Sequence, residues 1–414
     1  MKAKTVRQIA DWRLCLGCGA CSYICPDDKI SLFDCASEGI RPLVADEYCL
    51  ACRDCLTVCP AHGIDHKEPL PRSGLIAEVR EAFGPVLEIW EGHATDPEIR
   101  FTGSSGGILT ALSLFCLEAE GFHGVLHIGQ DPARPLRNHT VLSRTRRDLL
   151  NRTGSRYAPA SACESLQLIE DAPAPCVFIG QPSEATASRK AAELRPRLKG
   201  NLALVLSFFC AGSPSTQGTI DLLRSAGIDP DSVESFRYRG NGWPGMFTVK
   251  LKDEPKARPL MSYAESWGFV QAYRPFSTHL CPDGTGEDAD ISCGDPWYRP
   301  VEAGEAGSSL VLVRTERGRE ILQKAIQAGY VVLKPAEPWK LLASQKGLVA
   351  KRGAVWGRLA TMRAIGLPVP KLRGFSLFKN WMKLTLSEKL RSTVGTLRRV
   401  ITRGYYRPQE LRRD

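Results

Sequence analysis

The sequence predicts an α/β protein, α+β in part. It has a small cysteine-rich N-terminal module, a larger α/β body on a mixed sheet, and a basic helical C-terminal tail. Three observations carry this. Eight of the fifteen cysteines fall in two runs, at residues 15–25 and 49–59. Between residues 86 and 350, strand-like apolar runs alternate with helix-spaced segments, as in a sheet that is at least partly parallel. From residue 371 onward there are twelve Lys or Arg against three acidic residues, although the net charge of the whole chain is only +10.

The cysteine runs are Cys15, Cys18, Cys21, Cys25 followed by Pro26, and Cys49, Cys52, Cys55, Cys59 followed by Pro60. Each reads C-x-x-C-x-x-C-x-x-x-C-P, the bacterial ferredoxin run in which the fourth cysteine ligates the other cluster. Cys15, Cys18, Cys21 and Cys59 are therefore assigned to one 4Fe–4S cluster, and Cys49, Cys52, Cys55 and Cys25 to the second. Zinc would use paired C-x-x-C units, but it gives no reason for the third step or the proline. Disulfides are a poorer reading. Residues 1–7 lead into no apolar signal segment, and no window supplies the roughly 18 apolar residues of a membrane span. A reducing, cytoplasmic compartment is expected.

The chain divides into a ferredoxin-like module (1–68), a Pro/Gly-punctuated linker (69–85), two body regions (86–175 and 176–350) and the tail (351–414). In the body, strands are expected near 86–90, 122–128, 138–143, 176–180, 202–209, 309–314 and 330–333. Helices are expected at 108–120, 163–169, 184–194, 217–226, 316–328 and 338–349. The continuous apolar run 202–209 reads as a strand buried on both faces. Residues 102–107, TGSSGG, form a Gly/Ser loop before a helix. Such a loop presents bare N–H groups to an anion, but many are plain turns, and the loop alone leaves both readings open. Residues 279–297 read as a long acidic loop, and loops of that length in a compact domain are usually functional. A divalent-metal site at Asp283, Glu287, Asp288 and Asp290 is conceivable, without EF-hand spacing to support it.

These segments, in this order, resemble the coenzyme F420 hydrogenase/dehydrogenase beta-subunit family of iron–sulfur flavoproteins, over nearly the whole chain to about residue 350. The resemblance rests on the fused cysteine module, on residues 102–107, 154–157 and 238–245, and on Cys281-Pro282-Asp283 through Gly294-Asp295. It implies an FAD held by the body. The cofactor-binding residues would be Thr102, Gly103, Ser104, Ser105, Gly106, Gly107, Ser155, Arg156, Tyr157, Arg239, Asn241, Gly242, Trp243 and Asp295. It also implies that Ser183 and Thr278 stand where some members place cysteines that, with Cys210 and Cys281, hold a further cluster. Serine and threonine are poor ligands for iron–sulfur sites, so Cys210 and Cys281 are expected to be free thiols. Cys35, Cys116, Cys163 and Cys176 read as small buried hydrophobes.

The function expected is an oxidoreductase that passes electrons between two 4Fe–4S clusters and FAD to reduce or oxidise a small organic substrate. Its redox partner would be a ferredoxin or a reduced nicotinamide or deazaflavin donor. An electron-transfer subunit of a larger complex and a deazaflavin dehydrogenase are the alternatives. His279 and Asp283, flanking Cys281, are the candidate proton donors, with a structural role the favoured reading for the histidine. In the tail, Phe378, Trp381, Met382, Leu386, Leu390, Val394, Leu397 and Ile401 recur at mostly helical steps among Lys and Arg. That is an amphipathic helix. Peripheral membrane contact, an acidic protein partner, and packing of the stripe onto the body all remain open. Nucleic acid is not expected, because no recognised binding module accompanies the charge.

Overall fold

The strand Leu202–Phe208 lies in the middle of an eight-stranded sheet. The computed structural model describes residues 3–45, 49, 52–66, 74–302, 304–409 and 411. In spatial order the strands are Val331–Pro335, Glu88–Ala94, Ser309–Val313, Ile291–Gly294, Leu202–Phe208, Cys176–Gly180, Gly124–Gln130 and Asn138–Ser143. The four from Ile291–Gly294 to Gly124–Gln130 pair in parallel. The outer strands pair antiparallel. The sheet is mixed, with a parallel heart.

Alternate side chains of the central strand serve two cores. Leu204 and Leu206 join Val177, Val311 and helices Ile108–Glu118 and Glu316–Gln327 on one face. Val205 joins Phe178, the alanines of helix Pro182–Leu194, and Cys18, Ala20, Ile24 and Val58 of the cysteine module on the other. Burying each such Val or Leu contributes roughly 1.5–3 kcal/mol. The module therefore covers one face of the sheet. A shorter antiparallel sheet, Val233–Arg237, Met246–Leu251 and Arg258–Ser262, lies outside this sheet.

Three expectations need correction. Ile291–Gly294, read as part of a long loop, is a strand of the parallel heart. Four residues are too few to show a period of their own, and their pairing partners lie far away in sequence. Residues 67–73 of the expected linker lie outside the described residues, but its later part is helix Ala77–Phe83, with Val79 and Phe83 buried in the body. The helix expected at 338–349 is two, Pro338–Ser344 and the longer Lys346–Ala364, broken at Gln345. The tail is joined to the module. Strand Lys371–Arg373 pairs in parallel with Gly63–Asp65 of the module.

Candidate functional site

The first cysteine run folds as a tight loop followed by a short helix, and the described part of the second run enters helix Asp54–Thr57. Gly17 and Gly19, at φ of 79° and 83°, let the first loop turn between its cysteines. The Gly17 N–H donates to Cys15 Sγ at 3.4 Å, the kind of contact that tunes a cluster. Helix Ala20–Ile24 then carries the chain away to Cys25. The electrostatic neighbours of each thiol sort into two sets. Cys18 is raised by burial and by the charges of Cys59 and Cys15, and Cys21 by burial and by Cys15, Cys18 and Cys59, with Cys55 of the other set adding to it. Cys55 is pushed up to about 11 by burial and by Cys52, with Cys25 and Cys49 adding to it. Cys59 is thus among the neighbours of Cys18 and Cys21, and Cys25 among those of Cys55. Buried thiols crowded against one another resist ionisation, whereas metal ligands must be deprotonated. These sets suit a cationic iron core that takes up the thiolate charge.

The module is keyed into the body. The Cys163 N–H donates to the Cys18 carbonyl at 3.0 Å. Tyr23 Oη donates to Glu170 at 2.8 Å, and Lys190 Nζ donates to the Gly63 carbonyl at 2.8 Å. Cys116, Cys163 and Cys176 are fully buried, as expected. Cys35 is not, because it ends the module's outer hairpin, with Ser37 Oγ 3.8 Å away.

A cleft opens at the carboxyl ends of Cys176–Gly180 and Leu202–Phe208, where open α/β sheets bind ligands. Its walls include Gln181, Ser183, Cys210, Thr278, Cys281 and Lys351, and its far side is Leu16 and Gly17 of the first cysteine loop with Ile40 of the strand Gly39–Val44. The four positions singled out from the resemblance, Ser183, Cys210, Thr278 and Cys281, therefore share one cleft. Lys351 was invisible to sequence reading, since it lies in a helix without a motif. Burial lowers it, while the nearby Cys281 and Cys210 raise it.

The residues implied for FAD also converge, from segments up to nearly two hundred residues apart. Ser104 and Ser155 hydroxyls lie 2.8 Å apart, Ser155 bridges Arg239, and the Gly242 N–H donates to the Phe101 carbonyl at 2.9 Å. Arg239 forms a fork on Asp295 at 2.6 and 2.7 Å, and the Trp243 indole N–H donates to the same carboxylate at 2.9 Å. Trp243 and Tyr263 both stack on Trp297. Tyr157 and Asn241 hold left-handed backbone conformations, φ 31° and 60°, strain of a kind that gathers at ligand sites. Helix Ile108–Glu118 starts at Gly107 with no side-chain cap, which leaves its N-terminus for an anion.

Several of these residues have protein partners, however. Arg156 spends its donors on Asn138, Gln130 and the Phe236 and Pro135 carbonyls. It is a strut between strands, not a free phosphate ligand. Gly106 donates its N–H to Ser309 Oγ at 2.9 Å. A Cβ there would meet the Gly92 carbonyl at 2.6 Å, and one on Gly107 the Ile99 carbonyl at 2.7 Å. Both glycines are required by the fold whether or not a ligand binds.

The two candidate proton donors do not share a site. His279 faces a second cleft of about 310 Å3 with Arg274, Arg399 and Arg403. Burial, then Arg358, Arg274 and Arg399, lowers it to about 2, so it is a neutral imidazole at any physiological pH. Asp283 lines the first cleft, yet its carboxylate accepts N–H groups of Thr285, Gly286 and Glu287 at 2.8–2.9 Å. It braces its own loop.

The other acids of that loop are likewise engaged. Glu287 pairs with Arg352 and lies 3.4 Å from His66 Nδ1. Asp288 contacts His66 Nε2 at 3.2 Å and accepts from Thr186 at 2.5 Å. Asp290 takes Arg189 at 2.7 Å and Thr315 at 2.7 Å. Among the described residues no three Cys, His, Asp or Glu side chains are grouped to hold a single metal ion. The loop is a keystone joining module, sheet and helix Lys346–Ala364, not a divalent-metal site.

Fold and cysteine module together define an iron–sulfur oxidoreductase chain of α/β type. Residues 14–63 match the 4Fe-4S dicluster domain. Residues 89–167 match the N-terminal part of the coenzyme F420 hydrogenase/dehydrogenase beta subunit, and residues 175–338 its C terminus. The chain belongs to that family. It is 26% identical over 300 residues to a coenzyme F420 hydrogenase subunit beta of Methanococcus voltae, covering 70% of this chain and 99% of that one. It is 24% identical to the coenzyme F420-dependent sulfite reductase of Methanocaldococcus jannaschii, over 76% of this chain and 46% of that one. Its fold is similar to a chain of the F420-reducing NiFe hydrogenase complex of Methanosarcina barkeri, at TM-score 0.52 and 23% identity, covering 71% of this chain and 97% of that one. No helix among the described residues is long and apolar enough to cross a membrane.

Proposed function

We propose that this chain relays electrons between a protein redox partner and an FAD in its body, by way of two 4Fe–4S clusters, for the two-electron reduction or oxidation of an organic substrate. The observation that carries the reading is the cleft walled on one side by the first cysteine loop and on the other by the ends of the parallel strands. Pro159, in its wall, is two residues from Tyr157 of the loop cluster. A bound flavin would supply the change from one-electron to two-electron transfer. The protein's own part is positional. The uncapped helix start at Gly107 with Ser104 would receive a phosphate, and the aromatic group of Trp243, Trp297 and Tyr263 offers a flat surface to a ring. Cys52 is exposed whereas Cys18 is buried, which makes the second cluster the side open to a partner. The subunit character of the hydrogenase relatives supports a protein partner of this kind, and the same names make a deazaflavin one donor to try.

The test is Ser104→Asp, which sets a negative charge at the helix start without touching the packed glycines. The expected result is loss of extractable FAD from anaerobically purified protein while the iron–sulfur absorption is kept. FAD at full occupancy in the variant would place the flavin elsewhere, and wild-type protein without flavin would overturn the FAD reading.

A further inference from the structure

Helix Leu386–Thr402 is amphipathic, and the structure shows which of its sides is covered. It packs on helix Lys346–Ala364 through small and polar residues: Ser392, Thr396 and Val400 are the ones it buries. Gly357 makes room for Ser392, whose hydroxyl accepts the Trp381 indole N–H at 3.1 Å. The apolar stripe points the other way. Leu386 is 75% exposed, Leu390 52%, Val394 60% and Ile401 60%, and in the preceding helix Leu377–Met382 both Phe378 and Met382 are 51% exposed. This stripe runs about 22 Å along the helix at 1.5 Å per residue. Solvent-facing Leu and Val at successive four-residue steps form a contiguous patch, which marks an interaction surface.

Cations border the stripe on one side. At 3.6 residues per turn, Arg391 and Arg398 fall beside Val394, whereas Lys389 lies on the packed side, its Nζ 5.3 Å from the centre of the Trp381 ring. The one acid of the helix, Glu388, is held in the capping box with Thr385. We propose that this ridge docks on the surface of an anionic lipid bilayer, with the leucines and Val394 entering the acyl boundary and the flanking cations at the headgroups. The shape favours a plane over a protein groove. A groove wraps its helix, whereas here the back of the helix is fixed against Lys346–Ala364. A second copy is disfavoured, since face-to-face pairing would bring the flanking cations of both chains together.

The experiment is vesicle flotation with the full-length protein, using phosphatidylcholine vesicles with and without about one-third phosphatidylglycerol. Removing the tail is unsuitable, because Lys371–Arg373 pairs with the module. The variants are Leu386→Ser/Leu390→Ser/Val394→Ser, and Arg391→Gln/Arg398→Gln; circular dichroism and cluster absorption check that both fold. Wild type should float with the anionic vesicles and lose that binding as salt rises. The charge variant should partition about thirtyfold less, from two lost cations near the surface, and the apolar variant at least about tenfold less. Wild type that stays down with anionic vesicles overturns the proposal. So does an apolar variant that floats as well as wild type, or a dimer dissolved by the apolar variant with no flotation of either form.

Discussion

His66 sets the pH dependence of the joint between module and body. Its ring lies 4.6 Å from Phe375, and its nitrogens face Asp288 and Glu287. Burial alone would lower it, but hydrogen bonding to Asp288 and the charge of Glu287 outweigh that and raise it from 6.5 to about 10. A folded-state pKa above the unfolded one means that the stabilisation is fully present below pH 6.5 and is lost as pH rises through about 10. At about 1.4 kcal/mol per unit, the gap is worth on the order of 4 kcal/mol at pH 7 and less than about 1 kcal/mol at pH 10. The perturbation is His66→Gln, which keeps a hydrogen-bonding group but cannot carry the charge. The assay is anaerobic urea unfolding of wild type and variant, followed by tryptophan fluorescence and by cluster absorption, at pH 7 and pH 10. Other alkaline titrations act on both proteins and cancel in the difference. The wild-type advantage should be large at pH 7 and nearly gone at pH 10. An advantage equal at both pH values, or absent at pH 7, refutes the protonated bridge.

Anaerobically purified protein should carry about eight iron and eight sulfide. Cys25→Ser should remove the same cluster as Cys52→Ser, read by electron paramagnetic resonance; loss of the Cys18 cluster instead would contradict the crossover. Breaking the buried Glu287–Arg352 pair with Arg352→Met leaves Glu287 with only His66 and should destabilise the protein by about 3–5 kcal/mol, read as a lower urea midpoint; an unchanged midpoint would show that the pair contributes nothing net. His279→Gln should leave the pH profile of diaphorase activity between pH 5 and 9 unchanged, because a group lowered to about 2 does not titrate there. A shifted profile would restore the histidine to the chemistry.

The sequence by itself determined the features that rest on local spacing. Two tight loops with cysteines at steps of three, three and four specify paired cubane sites, since the ligands are close in the chain. The apolar run 202–209 could only be an interior strand, and its neighbours followed from the same alternation. What spacing cannot show is which distant side chains meet. Ile291–Gly294 is a strand because Leu206 and Val311 pair with it or its neighbours on either side, and nothing within those four residues says so. The acids of residues 283–290 looked like a metal site in one dimension, and in three their charges are answered by His66, Arg189 and Arg352 from remote segments. Likewise periodicity revealed an amphipathic tail helix but not its orientation. The chain buries Ser392 and exposes Leu390 because the facing helix offers Gly357 there, where a small residue packs closely and a large one has no room.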